Sequence, residues 1–461
     1  MAAVHVPYEF ESCRRSVVSS ARRSLNSQVK SKEENVLHKL TYWDKQCDFF
    51  THIHHRRGLV EKAVAHHLGL SSHSSCQAAD VKDWMRGSFN LCVPVTVTCG
   101  NGSTGNGTQQ RRVLMRFPLP HRVGEEFRPG NADEKVRCEA ATYAWLGQEC
   151  PSIPIPHLYG FALSGGQRIM ITLSRKPLPK LGSFIIDDNG FLRLENRPLT
   201  VELEVLENEH IPLDNVIPRH QSFHSVDSYI NRLLSMHDAR LRHQPNAVNN
   251  IGDCAGQMSA LAMMRTVSHE FFDYDLNHGP FVFTLTDLDA SNIFVDKDWN
   301  IKCLVDLEWG ASLPLEFMQP PTWLTNQQCD VIDADKYNEL REEFMETLED
   351  EEGKIYEKEK KEQDMHGQPI GRVELSTVMK KTWEIGAFWY ILALRSPTGL
   401  HALFYKRIQP LYALGHADEG QFYLITHRYW TRGADAVVRQ KVADKEVYDR
   451  KLREEFPEEA V

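Results

Sequence analysis

Apolar and polar positions along this 461-residue chain follow two rhythms, one helical and one extended. From Val36 to Leu70, the residues Leu37, Leu40, Trp43, Phe49 and Phe50 stand among charges at spacings that predict helices. Phe89 to Thr98 is rich in Val and Thr and predicts a strand, and Arg112 to Arg116 predicts its neighbour. The Gly-rich stretch 100–107 between them reads as a hairpin tip. Asp133 to Leu146 opens on acidic residues, continues Ala-rich and predicts a helix. The runs 157–163 and 168–173 read as a fourth and fifth strand of a small antiparallel sheet, with Leu173 to Lys176 crossing out of it. Phe184 to Arg193 predicts a hairpin around Asp188-Asn-Gly190. Helical patterns follow at Val226–His237, at Gln257–Phe272 and at Trp383–Leu394, the last fully apolar enough to be buried. Ile293 to Val295 and Ile301 to Val305 predict two strands about a polar turn at 296–300.

These elements define an α+β chain in four stretches. Residues 1–35 form a polar extension, and 36–175 hold the N-terminal helices and the small sheet. Residues 176–440 are mainly helical and include an acidic insertion at 339–364, and 441–461 form a charged terminal helix. Glu339 to Glu362 carries eleven acidic and five basic residues. Tyr337, Leu340, Phe344 and Leu348 keep a helical stripe through its first half, and Lys354 to Glu362 reads as a solvated face or loose insertion.

Composition narrows the classes. The chain is 41% hydrophobic and 25% charged, enough apolar residue for a full core. Its net charge of −10 argues against nucleic acid as a partner. The longest apolar run, Ile385 to Leu394, is too short to span a bilayer, so no membrane role is expected. Ten scattered cysteines without a C-x-x-C pattern read as reduced thiols, and a cytoplasmic location is expected. His52, His55, His66 and His67 lack a completing carboxylate or cysteine and read as solvated.

The candidate chemistry lies in Thr284-Leu-Thr-Asp-Leu-Asp-Ala-Ser-Asn292 and Leu304-Val-Asp-Leu-Glu308. A hairpin between them returns Asp306 to the neighbourhood of Asp287 and Asn292. An aspartate, an amide five residues on and a second aspartate nineteen on suit phosphoryl transfer. One carboxylate orients the acceptor hydroxyl; the amide and the other carboxylate hold Mg²⁺ on ATP. G-x-G-x-x-G occurs at Gly100, Gly102 and Gly105, but a strand follows it instead of a helix. The expected loop over the nucleotide is Gly87-Ser-Phe-Asn90, with Gly87, Ser88 and Asn90 offering backbone N–H groups and little bulk. Arg116 on the strand and Glu139 on the helix are the expected ion pair that aims a cation at phosphate, with Lys135 as a second base.

These residues, with Ile153-Pro-Ile-Pro-His-Leu-Tyr-Gly160, Asn196-Arg-Pro198, Val305-Asp-Leu-Glu-Trp309 and Pro320-Pro-Thr-Trp-Leu324, resemble the aminoglycoside phosphotransferase and choline-kinase-like superfamily, in its fungal phosphotransferase-domain branch. The resemblance covers about residues 36 to 430. It implies a protein-kinase-like, two-lobed fold, with a small antiparallel N-lobe sheet and a larger, mainly helical C-lobe. It implies Asp287 as the catalytic aspartate, Asn292 and Asp306 as magnesium ligands, and ATP as phosphate donor to a small-molecule hydroxyl. Leu285-Thr286 stands where the superfamily usually has His-Gly, Asp289 where it commonly has histidine, and Arg116 where it has lysine. Those three positions feed the alternative of a catalytically weak, kinase-fold nucleotide-binding or regulatory protein. A protein kinase is disfavoured, because no Ala-Pro-Glu follows Asp306.

Overall fold

A computed structural model describes residues 35–68, 70, 74–99, 109–153, 155, 166–289, 292–295, 301–325, 327, 331–363, 374–413 and 420–456. It is an α+β protein with small antiparallel sheets. The chain divides into two compact units: residues 1–133, 207–210 and 449–461 form the first, 134–206 and 211–448 the second. No helix among the described residues is long and apolar enough to cross a membrane.

The first unit opens on three helices, α1 (Val36–Leu40), α2 (Tyr42–His55) and α3 (Arg57–His67), as the pattern over 36–70 predicts. Four strands follow: β1 (Ser74–Ala78), β2 (Met85–Arg86), β3 (Asn90–Cys99) and β4 (Gln109–Pro118). Strand β3 is central and antiparallel to all three others, pairing with β4 from Asn90↔Pro118 to Cys99↔Gln109. Leu91, Val93, Val95 and Val97 alternate along β3, and all four are fully buried against Phe50, Ile53, Val60 and Val64 of the helices. Residues 100–108, the expected hairpin tip, lie outside the described residues.

The segment 207–210 belongs to this unit through polar contacts. Asn131 Nδ2 donates to the Val123 carbonyl at 2.7 Å and to Glu207 Oε2 at 3.0 Å, and Arg128 pairs with Glu207. Gly124 lies at φ +68, and a Cβ there would meet the Asn208 backbone at 3.0 Å.

The second unit contains most of α4 (Asn131–Glu149), then α5 (Gly166–Ser174), β5 (Pro177–Leu178), β6 (Ser183–Ile186), β7 (Leu192–Asn196) and α6 (Val201–Asn208) as far as Leu206. The β6–β7 hairpin matches the sequence reading. The fifth expected strand does not: residues 168–173 lie within helix α5. Ile169, Met170, Ile171 and Leu173 form an apolar run too short for its period to separate strand from helix, and its burial beside α4 and the sheet decides. The run 157–163 lies outside the described residues.

Long helices α7 (Val226–His243) and α8 (Ile251–Val267) precede β8 (Phe281–Leu285), β9 (Ile293–Val295), β10 (Ile301–Leu304) and β11 (Gly310–Pro314). Strands β9 and β10 form the expected antiparallel hairpin. Strand β8 lies between β11 and β5, with Gly310 opposite Leu285. Helix α9 (Ala334–Gln363) runs through the stretch from Lys354 read as a solvated face or loose insertion, and Lys354, Tyr356 and Glu357 on it are exposed, as a solvated face requires. Its Glu352 accepts from the Leu375 and Ser376 N–H groups at 2.9 and 3.2 Å, capping α10 (Leu375–Glu384). The helix expected from Trp383 to Leu394 is split. Gly386 takes φ +79, ending α10 and letting α11 (Ala387–Leu394) start in a new direction. The charged tail helix begins earlier than the pattern predicts, at Ala434, and runs to Glu455.

Candidate functional site

The chain leaves the sheet at Leu285 and rejoins it at Gly310, so residues 286–309 make a closed excursion. Thr286 pinches its base: the backbone N and the hydroxyl both donate to the Trp309 carbonyl, at 2.9 and 2.8 Å. Leu285, Leu288, Ile293, Leu304 and Leu307 sink into one core with Trp145, Phe283 and Met345. The apolar residues flanking Asp287 and Asp306 therefore anchor the loop, and these two carboxylates face outward.

Within this excursion four consecutive carbonyls each receive a donor. Arg395 Nη2 donates to Thr286 O at 2.7 Å, and Asn292 Nδ2 to Asp287 O at 3.0 Å. Trp323 Nε1 donates to Leu288 O at 2.8 Å, and the Asn292 backbone N to Asp289 O at 3.0 Å. The Val305 N–H in turn donates to Asn292 O at 3.0 Å, which ties the returning strand to the loop. A backbone held at every carbonyl presents its side chains in fixed directions.

Asp287, Asn292 and Asp306 are thus gathered in one place. Asp306 is exposed and takes φ +55, a left-handed conformation uncommon outside glycine. The Asp287 carboxyl is pushed up to about 6. Desolvation by the surrounding protein is the largest cause, followed by the negative charges of Glu202, Glu308, Asp306 and Asp289. Glu202 itself stands 4.0 Å from Arg395 Nε.

Among the described residues no three His, Cys, Asp or Glu side chains gather closely enough to hold a metal ion. Magnesium needs less where a nucleotide shares the coordination, since one or two protein oxygens then suffice. Asn292 commits its amino end to the Asp287 carbonyl, which directs Oδ1 away as an acceptor, and Asp306 supplies an exposed carboxylate. That donor set, hard oxygen on a pinned loop, fits Mg²⁺.

Behind the acids lies a buried charged layer. Lys135 on α4 is fully buried, with Nζ 3.2 Å from Glu308 Oε1 and 5.4 Å from the Trp309 ring centre. Glu134 beside it takes two bonds from Arg197, at 2.9 and 2.8 Å, and one from Arg219 at 2.8 Å. Glu204 is 1% exposed, and neither carboxyl oxygen accepts a hydrogen bond among the described residues. Burial, then the Glu134 charge, pushes its carboxyl up to about 8.

Glu139 is half-buried on α4 in the same unit, one turn beyond Lys135. The other expected residues lie in the first unit. Gly87 to Asn90 is the tight turn between β2 and β3, closed by Gly87 N donating to Asn90 O at 2.9 Å. Gly87 and Ser88 are exposed and Asn90 is buried, and a Cβ on Gly87 would meet open space. Arg116 on β4 is half-buried opposite Cys92, at the end of the sheet where Asn90 pairs with Pro118.

Sequence reasoning missed Arg395, Trp323, Glu202 and the buried placement of Lys135 and Glu308. Trp323, Glu308 and Lys135 carried a signal, the first two as parts of the stretches around Pro320 and Val305 and the last as the expected second base. Comparison with protein-family models, curated proteins and solved structures gives no match to this chain.

Proposed function

We infer that the chain is an ATP- and Mg²⁺-dependent phosphotransferase that moves the γ-phosphate of ATP onto a hydroxyl of a small molecule. The α+β content, with one antiparallel sheet unit and one mainly helical unit, supports a protein-kinase-like, two-lobed arrangement. The observation that carries the functional reading is the loop 286–289, whose four carbonyls are tied down while Asp287 projects a carboxyl raised to about 6. A carboxylate of that basicity is ionised at neutral pH and still accepts a proton well.

In the transfer, the acceptor oxygen forms the new bond to the γ-phosphorus. The bond to the β–γ bridging oxygen breaks with its electrons leaving on ADP, and the hydroxyl proton passes to an Asp287 oxygen. Asn292 Oδ1 and the Asp306 carboxylate would hold the metal; when bound, it neutralises charge on the β- and γ-phosphate oxygens. Gly87, Ser88, Asn90 and Arg116 are the proposed nucleotide contacts of the first unit, and Glu139 the supporting carboxylate of the second.

Asp287→Asn tests the reading. With radiolabelled ATP and a metabolite extract, the variant should lose phosphate transfer while binding ATP within about two-fold of wild type. Transfer that survives the substitution would sink the assignment.

A further inference from the structure

Asp306 is held in its left-handed conformation between two anchored neighbours. On its N-terminal side Val305 N donates to Asn292 O at 3.0 Å. On its C-terminal side Leu307 is buried in the core, and Glu308 points inward to meet Lys135 at 3.2 Å. The Lys135 and Glu308 side chains are 0% and 4% exposed. Next in the chain is Trp309, whose ring the ammonium approaches and whose carbonyl Thr286 fixes.

Fully buried lysines are rare unless paired, and a buried ion pair generally stabilises a fold no better than apolar residues of similar volume. What such a pair supplies is direction. A carboxylate that must meet an ammonium inside the protein fixes the backbone that carries it.

We propose that the buried Lys135–Glu308 ion pair is a positioning device for Asp306, setting the direction in which its carboxylate meets a nucleotide-bound divalent cation. Lys135 and Glu308 are positioning residues here, since neither reaches the reacting atoms. The inference rests on the phosphotransferase reading of the same site. Outer partners of metal ligands typically carry about 10- to 100-fold of metal affinity when removed. This pair would act in that way, through the backbone between residues 306 and 308.

The test uses the full chain, Mn²⁺ as the metal probe and ATP. ATP affinity is measured by calorimetry with and without Mn²⁺, and bound Mn²⁺ by electron paramagnetic resonance. The double variant K135M/E308M removes both charges of the pair together. It should melt cooperatively, keep metal-free ATP affinity within about two-fold and lose about ten-fold or more of the Mn²⁺-dependent affinity. If that variant does not fold, the neutral pair K135Q/E308Q carries the same measurement. A folded double variant that retains the full Mn²⁺ enhancement would overturn the positioning role while leaving the phosphotransferase reading intact. If wild type shows no Mn²⁺ enhancement, or Asp306→Asn does not diminish it, the phosphotransferase reading itself fails and this inference falls with it.

Discussion

Arg395, at the C-terminal end of α11, reaches the loop of Asp287 through the carbonyl of Thr286 at 2.7 Å. Its Nε stands 4.0 Å from Glu202, whose charge is the largest carboxylate influence on Asp287. One guanidinium thus fixes the start of the loop and offsets a nearby negative charge. Arg395→Met should lower phosphate transfer by about ten-fold or more through misplacement of Asp287. Stability should fall by only about 1–3 kcal/mol, the cost of one carbonyl losing its donor. Turnover measured beside urea unfolding checks both; a variant with wild-type turnover would show that the loop does not need this anchor.

On the proposed phosphotransferase reading, Asp287 would give the reaction its acid limb. With the carboxyl raised to about 6, transfer should rise with pH through that value as the base ionises. A divalent cation at Asn292 and Asp306 favours the carboxylate, so saturating metal should move the limb to lower pH. The stability sign is opposite. A carboxyl whose pKa is higher folded than unfolded contributes stability present below about 4 and lost as pH rises through about 6. Asp287→Asn should make the fall between about pH 4 and 6 shallower by that contribution, leaving the part due to Glu204 and Glu316, and chemical denaturation of both proteins at several pH values reads the difference.

The excursion 286–309 was legible because its information is local. Short β-rich runs bounded by turn residues give β9 and β10, and acids at fixed offsets give Asp287, Asn292 and Asp306. The failures share one physical character. Helix α5 was read as a strand because an apolar run of this length fits either period, and packing against α4 and β8 decides. Lys135 reads as a second base toward phosphate, and its burial against Glu308, far along the chain, has no local signature. Arg395 acts through a backbone carbonyl, and a carbonyl leaves no mark on side-chain sequence.

Gly310 closes the excursion, and its lack of a side chain is required. A Cβ there would stand 2.5 Å from Phe283 Cζ and 2.9 Å from Thr142 Oγ1. Phe283 cannot retreat, since its ring is packed 4.5 Å from that of Trp145 and 5.8 Å from that of Phe184. Gly310→Ala should therefore destabilise the fold by about 1–3 kcal/mol, as overpacking does. It should also loosen the Thr286–Trp309 closure and depress transfer. Unchanged stability would mean that β8 and β11 can part at no cost.

Glu204 should make the protein lose stability as pH rises through neutrality towards about 8. Its carboxyl is 1% exposed and accepts no hydrogen bond among the described residues, while Glu134 beside it is committed to Arg197 and Arg219. Lys135, Arg197 and Arg219 pull its pKa down, and burial and Glu134 outweigh them, so it stands at about 8. The folded value lies above the unfolded one, so the protonated form is the one the fold accepts. Stability is fully present below the unfolded value, and it falls as pH rises until it levels off above about 8. Glu204→Gln keeps the shape and cannot ionise, so its unfolding midpoint in urea should decline less steeply than that of wild type between pH 6 and 8, the remaining fall coming from other raised carboxyls such as Glu316, which burial pushes up to about 7. Because Glu204 shares a layer with Lys135, the wild-type decline should also weaken Mn²⁺-dependent ATP binding, and the variant should retain that binding at pH 9. Parallel curves for the two proteins would show that the Glu204 carboxyl is ionised across the whole range.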